Sequence, residues 1–300
     1  MEQGRLMKDF NLKICKNASA FLEVAEPEFL KNEAVHNLAH GTAFWAMQKN
    51  VLLTDQKIFA LITRGYTTMA AIMWTKPYPL VFSAFRQLNP DDIHEIENLL
   101  TKHSLYPERF SGEKTATEFL FLPQRAPVTE QIIMSLADFK PLKSRGDCIL
   151  KPAGESDVSW LTDWLMQFYS EALPQESFSR QFIQTNLATQ KGKYFILYDG
   201  PTPLSMAAIV RETKSFLVLG GVFTPMHLRN HGYSQRCMSQ VCSLITGKMH
   251  KNAALHADKN NPASCHMYEK LGFRTVGTFV EYRRSLTPPN LSQSLKTSRT

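Results

Sequence analysis

The sequence predicts a mixed α/β protein, α+β in arrangement: a mostly antiparallel sheet flanked by helices, preceded by a smaller α/β domain. Three observations lead there. Its 300 residues exceed the usual size of one hydrophobic core. Short apolar runs of strand length come in groups of three, divided by Gly and Pro punctuation. Segments of helical period flank both groups, and a hydrophobic content of 43% with 20% charged residues is that of a folded chain.

In chain order, helical patterns are expected over Ala18 to Val24 and Glu28 to Met47, the second with Phe29, Leu30, Leu38 and Phe44 near helical spacing. The runs 57–63, 69–74 and 80–85 read as a three-strand meander, with Gly65 and Lys76-Pro77-Tyr78-Pro79 between them. A helix starting near Asn89-Pro90-Asp91, a strand at Glu118 to Leu122 and a helix at Thr129 to Ala137 complete a smaller domain over 1–140, and Lys140 to Asp147 reads as a linker. The second domain, 148–285, opens with a strand at Cys148 to Lys151 and helices over Glu155 to Tyr169 and Glu176 to Ala188. Strands at Tyr194 to Tyr198, Ser205 to Arg211 and Phe216 to Phe223 form a second meander. A long helix from Arg229 to His250, a strand at Ala253 to Ala257, a helix from Pro262 to Leu271 and strands at Arg274 to Gly277 and Phe279 to Arg284 close it. Residues 286–300 lack aromatics and are expected to form a mobile tail. Each half places a helix after a three-strand meander, a loose symmetry compatible with a degenerate tandem.

The formal charge of +7 is spread along the chain and interleaved with acids, so no nucleic-acid partner is expected, while small anions are favoured near the surface. Five scattered cysteines without CxxC spacing fit a reducing cytoplasm, and no apolar stretch is long enough to span a bilayer. His36 and His40 are four apart on an expected helix, but Asn37 stands where a zincin has Glu, so no metal site is expected.

Chemistry concentrates in two segments. In the first, an apolar strand meets Thr224-Pro225 and a polar link enters a helix with Arg229, Gly232 and Ser234 at its start. The leading amides of a helix lack intrahelical acceptors and lie at the positive end of its dipole, so this is a place for a pyrophosphate. In the second, Asn261 and Pro262 suit a helix start, Gly272 suits its end, and Asn261, Ser264 and Tyr268 fall along one stripe.

The order strand, Arg229-x-x-Gly232-x-Ser234, helix resembles motif A of the GNAT superfamily of acyl-CoA N-acyltransferases, with Ser234 where Gly or Ala is usual. Asn261-Pro262-x-Ser264-x-x-x-Tyr268-x-Lys270-x-Gly272-Phe273 is similar to the segment that follows the fifth GNAT strand in many bacterial acetyltransferases. The early half, with Thr75-Lys76-Pro77-Tyr78-Pro79, looks like the additional N-terminal domain of two-domain bacterial members, a degenerate GNAT-like α/β unit on the acceptor side. The resemblance implies acetyl-CoA as cosubstrate, with no metal. Its pyrophosphate would lie on the amides of Arg229, Asn230, His231, Gly232, Tyr233 and Ser234. Its pantetheine would lie along Val222 and Thr224, where the fourth strand splays from its neighbour, and beside Asn261 and Ser264. Tyr268 would protonate the departing thiolate. Glu212, His227, His256, Asp258 and Glu281 all stand near strand ends, and Asp258 is the preferred base because related sequences often carry an acid there. The implied reaction is direct acetyl transfer to an amine acceptor of unspecified identity, by a monomer or homodimer. The alternative is a protein of the same fold that binds acyl-CoA without chemistry.

Overall fold

The computed structural model describes residues 9–121, 125–142, 148–174 and 176–284. The expected tail and most of the expected linker therefore lie outside the described residues. The chain forms two compact units, one taking its described residues from Met1–Ala25, Asn50–Glu130 and Phe279–Thr300, the other from Glu26–Lys49 and Gln131–Thr278. The units are thus not contiguous in sequence as 1–140 and 148–285 would have been, because residues 26–49 and the late strands change unit.

The first unit is built on β1 (Phe10–Ile14), β2 (Lys57–Arg64), β3 (Thr67–Thr75) and β4 (Leu80–Ala84), an antiparallel series. Helix α1 (Ala18–Phe29) follows β1, and α2 (Asn37–Gln48), which belongs to the second unit, leads to β2. After β4 come α3 (Pro90–Lys102), β5 (Arg109–Glu113) parallel to β4, the short α4 (Lys114–Thr117) and β6 (Arg125–Leu136). Phe82, Ile96, Leu100 and Phe110 are the centre of its core.

The second half of the sequence repeats this order: β7 (Ile149–Pro152), α5 (Val158–Ala172), α6 (Arg180–Gln190), β8 (Tyr194–Asp199), β9 (Thr202–Glu212), β10 (Phe216–Phe223), α7 (Tyr233–Gly247), β11 (Asn252–Asp258), α8 (Pro262–Leu271) and β12 (Phe273–Arg284). Strands β7 to β10 are antiparallel neighbours and β11 lies parallel to β10. The last strands are exchanged. Residues Gln131–Ser135 of β6 pair antiparallel with β11 inside the second unit, and Phe279–Arg283 of β12 pair with β5 inside the first.

This exchange explains the main differences from the expected elements. Thr129 to Leu136 is strand where a helix to Ala137 was expected, since its run of Val, Thr and Ile finds a ladder partner in β11, distant in sequence. Ile133 and Met134 are both buried, so the segment lacks the alternation that marks a half-exposed strand. Between 109 and 121 the strand is Arg109–Glu113 rather than Glu118 to Leu122; residues 118–121 are turn, and 122 lies outside the described residues. The two last strands expected are one, β12, and α7 begins at Tyr233 rather than Arg229.

Helices α7 and α8 cover one face of the second unit's sheet, against Leu217 and Leu219 of β10 and Ala253, Leu255 and Ala257 of β11. Helices α5 and α6 pack on the other face against Ile196 and Met206, and α2 packs on β9. Gly272 ends α8 at φ 99°, and a Cβ there would stand 1.7 Å from the Asp138 carbonyl oxygen. Gly272→Ala is therefore expected to lower stability by on the order of 3 kcal/mol, read from the urea midpoint, because it meets both left-handed strain and a backbone clash.

Candidate active site

The site begins where a ladder stops. Strands β10 and β11 pair from Phe216↔Asn252 to Leu219↔Leu255 and no further, although β10 runs on to Phe223 and β11 to Asp258. Each keeps its outer partner beyond that point, β10 at Phe223↔Met206 and β11 at Asp258↔Gln131. A register shift between Gly220 and Phe223, with Gly221 at φ 57°, bends β10 away. The edge of Gly220 to Phe223 that would continue the ladder is left open to an added extended ligand.

Beyond this edge the chain enters α7. Thr224 is buried and its hydroxyl donates to Ser205 Oγ at 2.9 Å, while Ser205 Oγ donates to the Phe223 carbonyl at 3.0 Å. Arg229 fixes the loop: its Nε donates to the Thr224 carbonyl at 2.9 Å and its Nη2 to both Glu171 oxygens at 2.8 and 2.7 Å. Its charge is therefore offset by Glu171, and it anchors the turn. His231 Nδ1 lies 2.7 Å from the Arg229 carbonyl and its ring stacks on Tyr233.

The N-terminus of α7 is bare. Gly232 stands at the cap position with φ 76°, which only glycine adopts without cost, and nothing lies within 4 Å of where its Cβ would be. Among the described residues no side chain caps this end, and its first turn holds no acid. The equivalent helix of the first unit is the opposite: at α3, Asn89 and Asp92 form a reciprocal capping box, and Asp91 and Asp92 bring negative charge to the first turn. An anion is thus favoured at α7 and disfavoured at α3.

Helix α8 brings the second motif. Asn261 accepts the Ser264 N–H at 3.1 Å as N-cap and is exposed, Ser264 is half-buried, and Tyr268 is buried, its ring edge-on to Phe273 at 5.9 Å. Burial, with smaller contributions from Cys265 and Cys242, pushes the Tyr268 phenol above its usual range, so it holds its proton. It belongs to the same cluster that Val222 and Tyr233 pack against.

The acidic candidates are tied to structure. Asp258 shapes the β11–α8 turn, its Oδ1 accepting the Asn260 N–H at 2.9 Å and its carbonyl the Asn261 N–H at 3.0 Å. Lys251 donates to Glu212 at 2.8 Å, and Arg109 to Glu281 at 2.6 Å in the first unit. His227 is exposed, in the loop before α7.

The opposite face of the sheet holds a network that no motif announced. His256 follows the last β10–β11 pair and, by alternation, faces away from α7 and α8. Asn37 of α2 lies with its Nδ2 2.8 Å from His256 Nε2 and donates to the Ala34 carbonyl at 2.7 Å, and its Oδ1 accepts from Arg211 Nε at 3.2 Å. A guanidinium can only donate, so Asn37 is oriented by Arg211, Nε2 of His256 accepts, and Nδ1–H points to Gln131 Oε1 at 3.3 Å. Burial, then the Arg211 charge, hold His256 down to about 3, so it is neutral near pH 7. His256 is therefore a neutral member of this network with its lone pair engaged. Among the described residues no group of three potential ligands is placed to hold a metal, and no helix is long and apolar enough to cross a membrane.

An opened parallel pair here leads into an uncapped helix start, with a protonated phenol on the adjacent helix. Residues 160–273 match the acetyltransferase (GNAT) family model, and this part of the chain is a GNAT domain. Members of that family are transferases that use acetyl-CoA as cosubstrate. A GNAT-family acetyltransferase from Colwellia psychrerythraea superposes with a TM-score of 0.57 at 9% identity, over 92% of this chain and 100% of that one. A GCN5-related N-acetyltransferase from Sphaerobacter thermophilus does so with 0.62 at 12%, over 93% and 96%. A tandem GNAT protein from the clavulanic acid biosynthesis pathway gives 0.55 at 8%, over 93% and 99%. At these identities the likeness is one of fold. No curated protein matches the sequence.

His36 is also lowered, to about 4, by burial and by His40. For both His36 and His256 the unfolded chain takes up a proton below about pH 6.5 while the folded chain does not until about 4 or 3. Stability is then lost as pH falls through that window. Urea unfolding at pH 7.5 and pH 5 is expected to show the loss, and His256→Gln to reduce it.

Proposed function

We propose that the protein transfers an acetyl group from acetyl-CoA to an amine acceptor by direct attack in a ternary complex. The observation that carries this reading is the bare N-terminus of α7 set directly after the opened edge of β10. The pyrophosphate would take the amides of the Gly232-Tyr233-Ser234 turn, with Arg229, Asn230 and His231 forming the approach to it. The pantetheine arm would lie along the open edge at Val222 and Thr224, with Asn261 and Ser264 beside it. Amine nitrogen bonds to the acetyl carbon, the thioester C–S bond breaks, and the proton that the amine gives up balances the one that the thiolate receives. Tyr268 is fit to supply that last proton, because its site keeps the phenol neutral yet close to the α7–α8 face. Asp258, exposed at the end of β11, is the acid through which the amine's proton would reach water. The first unit, with a capped and acidic α3, is not suited to bind the donor and is assigned a supporting role on the acceptor side. Five unpaired cysteines fit a cytoplasmic location.

Calorimetry with acetyl-CoA and a thiol-release assay over an amine panel test the reading. Ser234→Asp is expected to weaken acetyl-CoA binding at least tenfold by bringing a like charge to the phosphates. Tyr268→Phe is expected to lower turnover by about 10²-fold with acetyl-CoA affinity unchanged. Binding of acetyl-CoA with no thiol release from any amine would favour a binding protein without chemistry, and no binding at all would discard the proposal.

A further inference from the structure

The network on the face opposite α7 and α8 contains a cation with no carboxylate partner among the described residues. Arg211 makes one side-chain hydrogen bond, Nε to Asn37, and among the described residues no carboxylate pairs with it. A guanidinium presents a planar fork of donors, so an edge without a partner is suited to two oxygens of an anion. Burial alone draws it down to about 10, with no acid acting on it. Arg211 also lines a cavity of about 220 Å³ between α2 and the end of β9, together with Thr42, Trp45, Gln48, Lys193 and Glu212. The only acid in that lining, Glu212, is already held by Lys251 at 2.8 Å, so the cavity carries excess positive charge. Trp45 is 49% exposed and offers an apolar wall. Through Asn37 the same guanidinium is linked to His256, the first residue of β11 past the point where the ladder opens.

We infer that the amine acceptor also carries a carboxylate, which Arg211 holds on this face of the sheet, so that the acceptor class is amino acids and related amino-carboxylates. This rests on the acetyl transfer proposed above. The geometry divides the work between faces. The phenol of Tyr268 lies on the α7–α8 side, and the carboxylate would be held on the α2 side, with the acceptor's amine directed to the opening between β10 and β11. Asn37 is then a positioning residue, since it fixes the guanidinium through Oδ1 and the neutral His256 through Nδ2.

The experiment compares amino acids of increasing side-chain size, from glycine to phenylalanine, each against its own carboxamide. Binding is read by calorimetry and transfer by thiol release with acetyl-CoA, using wild type, Arg211→Gln and Arg211→Lys. In wild type the acids are expected to bind and react at least tenfold better than the amides. Arg211→Gln is expected to erase that difference, and Arg211→Lys to retain part of it, while acetyl-CoA affinity stays the same in both. The acid-to-amide ratio of the wild type decides the question even if a variant folds poorly. Equal treatment of acids and amides by wild type, absence of binding by any acid, or a preference that survives Arg211→Gln would overturn the inference. Thiol release from amides as readily as from acids would leave acetyl transfer standing without the carboxylate site. Arg211-dependent binding of acids with no thiol release would instead keep the site and remove the transfer.

Discussion

The organisation of the second unit depends on the loss of pairing between β10 and β11 after Leu219 and Leu255. Buried backbone amides and carbonyls are costly to leave without partners, so a parallel pair that opens within a sheet must have a reason to stay open. Here the outer ladders hold both strands in place: β9 grips β10 through Phe223 and β6 grips β11 through Asp258. The opening is therefore a feature of the frame rather than frayed ends. It exposes a strand edge at Gly220 to Phe223, and the same strand delivers the chain to the bare start of α7. An extended edge thus leads to amides that no side chain caps among the described residues.

The repeat inside the chain provides an internal control. Both halves of the sequence run β-α-α-β-β-β-α-β-α-β and both place a parallel pair after the meander. They differ in how the central helix begins. At α3 a capping box consumes amides and two aspartates reverse the favourable potential; at α7 a glycine leaves the amides uncovered and acids are absent. The same architecture is thus compatible with an anion at one helix and incompatible at the other, and a few side chains make the difference. Fold alone does not carry function, and the local chemistry at these two helix ends separates them.

Much of this was legible in the sequence because it is local. Asn261, Pro262 and Gly272 specify the start and end of α8 by backbone preference alone, and the observed helix has those limits. The meanders announced themselves by length and punctuation. The misread segments depend on partners far away in the chain. Thr129 to Leu136 becomes a strand because partners distant in sequence, β11 among them, offer it a ladder, and residues 26–49 join the second unit although they precede most of the first. Likewise Arg229 carries the motif, yet its partner Glu171 stands 58 positions earlier, so its role as an anchor could not be read from spacing. Arg211 and Asn37 belong to no motif at all. The only sequence signal was a charged residue at the end of an apolar strand, which is ordinary.

That last pair shows how a site can be fixed by elements that share no sequence pattern. Asn37 has one carbonyl oxygen and two amide hydrogens, and all three are assigned: the oxygen to Arg211, the hydrogens to the Ala34 carbonyl and His256. Each assignment forces the next, since a guanidinium cannot accept and a backbone carbonyl cannot donate. His256 is thereby held in one tautomer, and the positive charge beside it opposes a second proton. A neutral imidazole cannot neutralise an incoming carboxylate, so the anion's counter-charge must come from the guanidinium itself. Beside the strand that opens, β9 thus carries on its α2-facing side a cation held in place by an amide whose oxygen and both hydrogens are engaged.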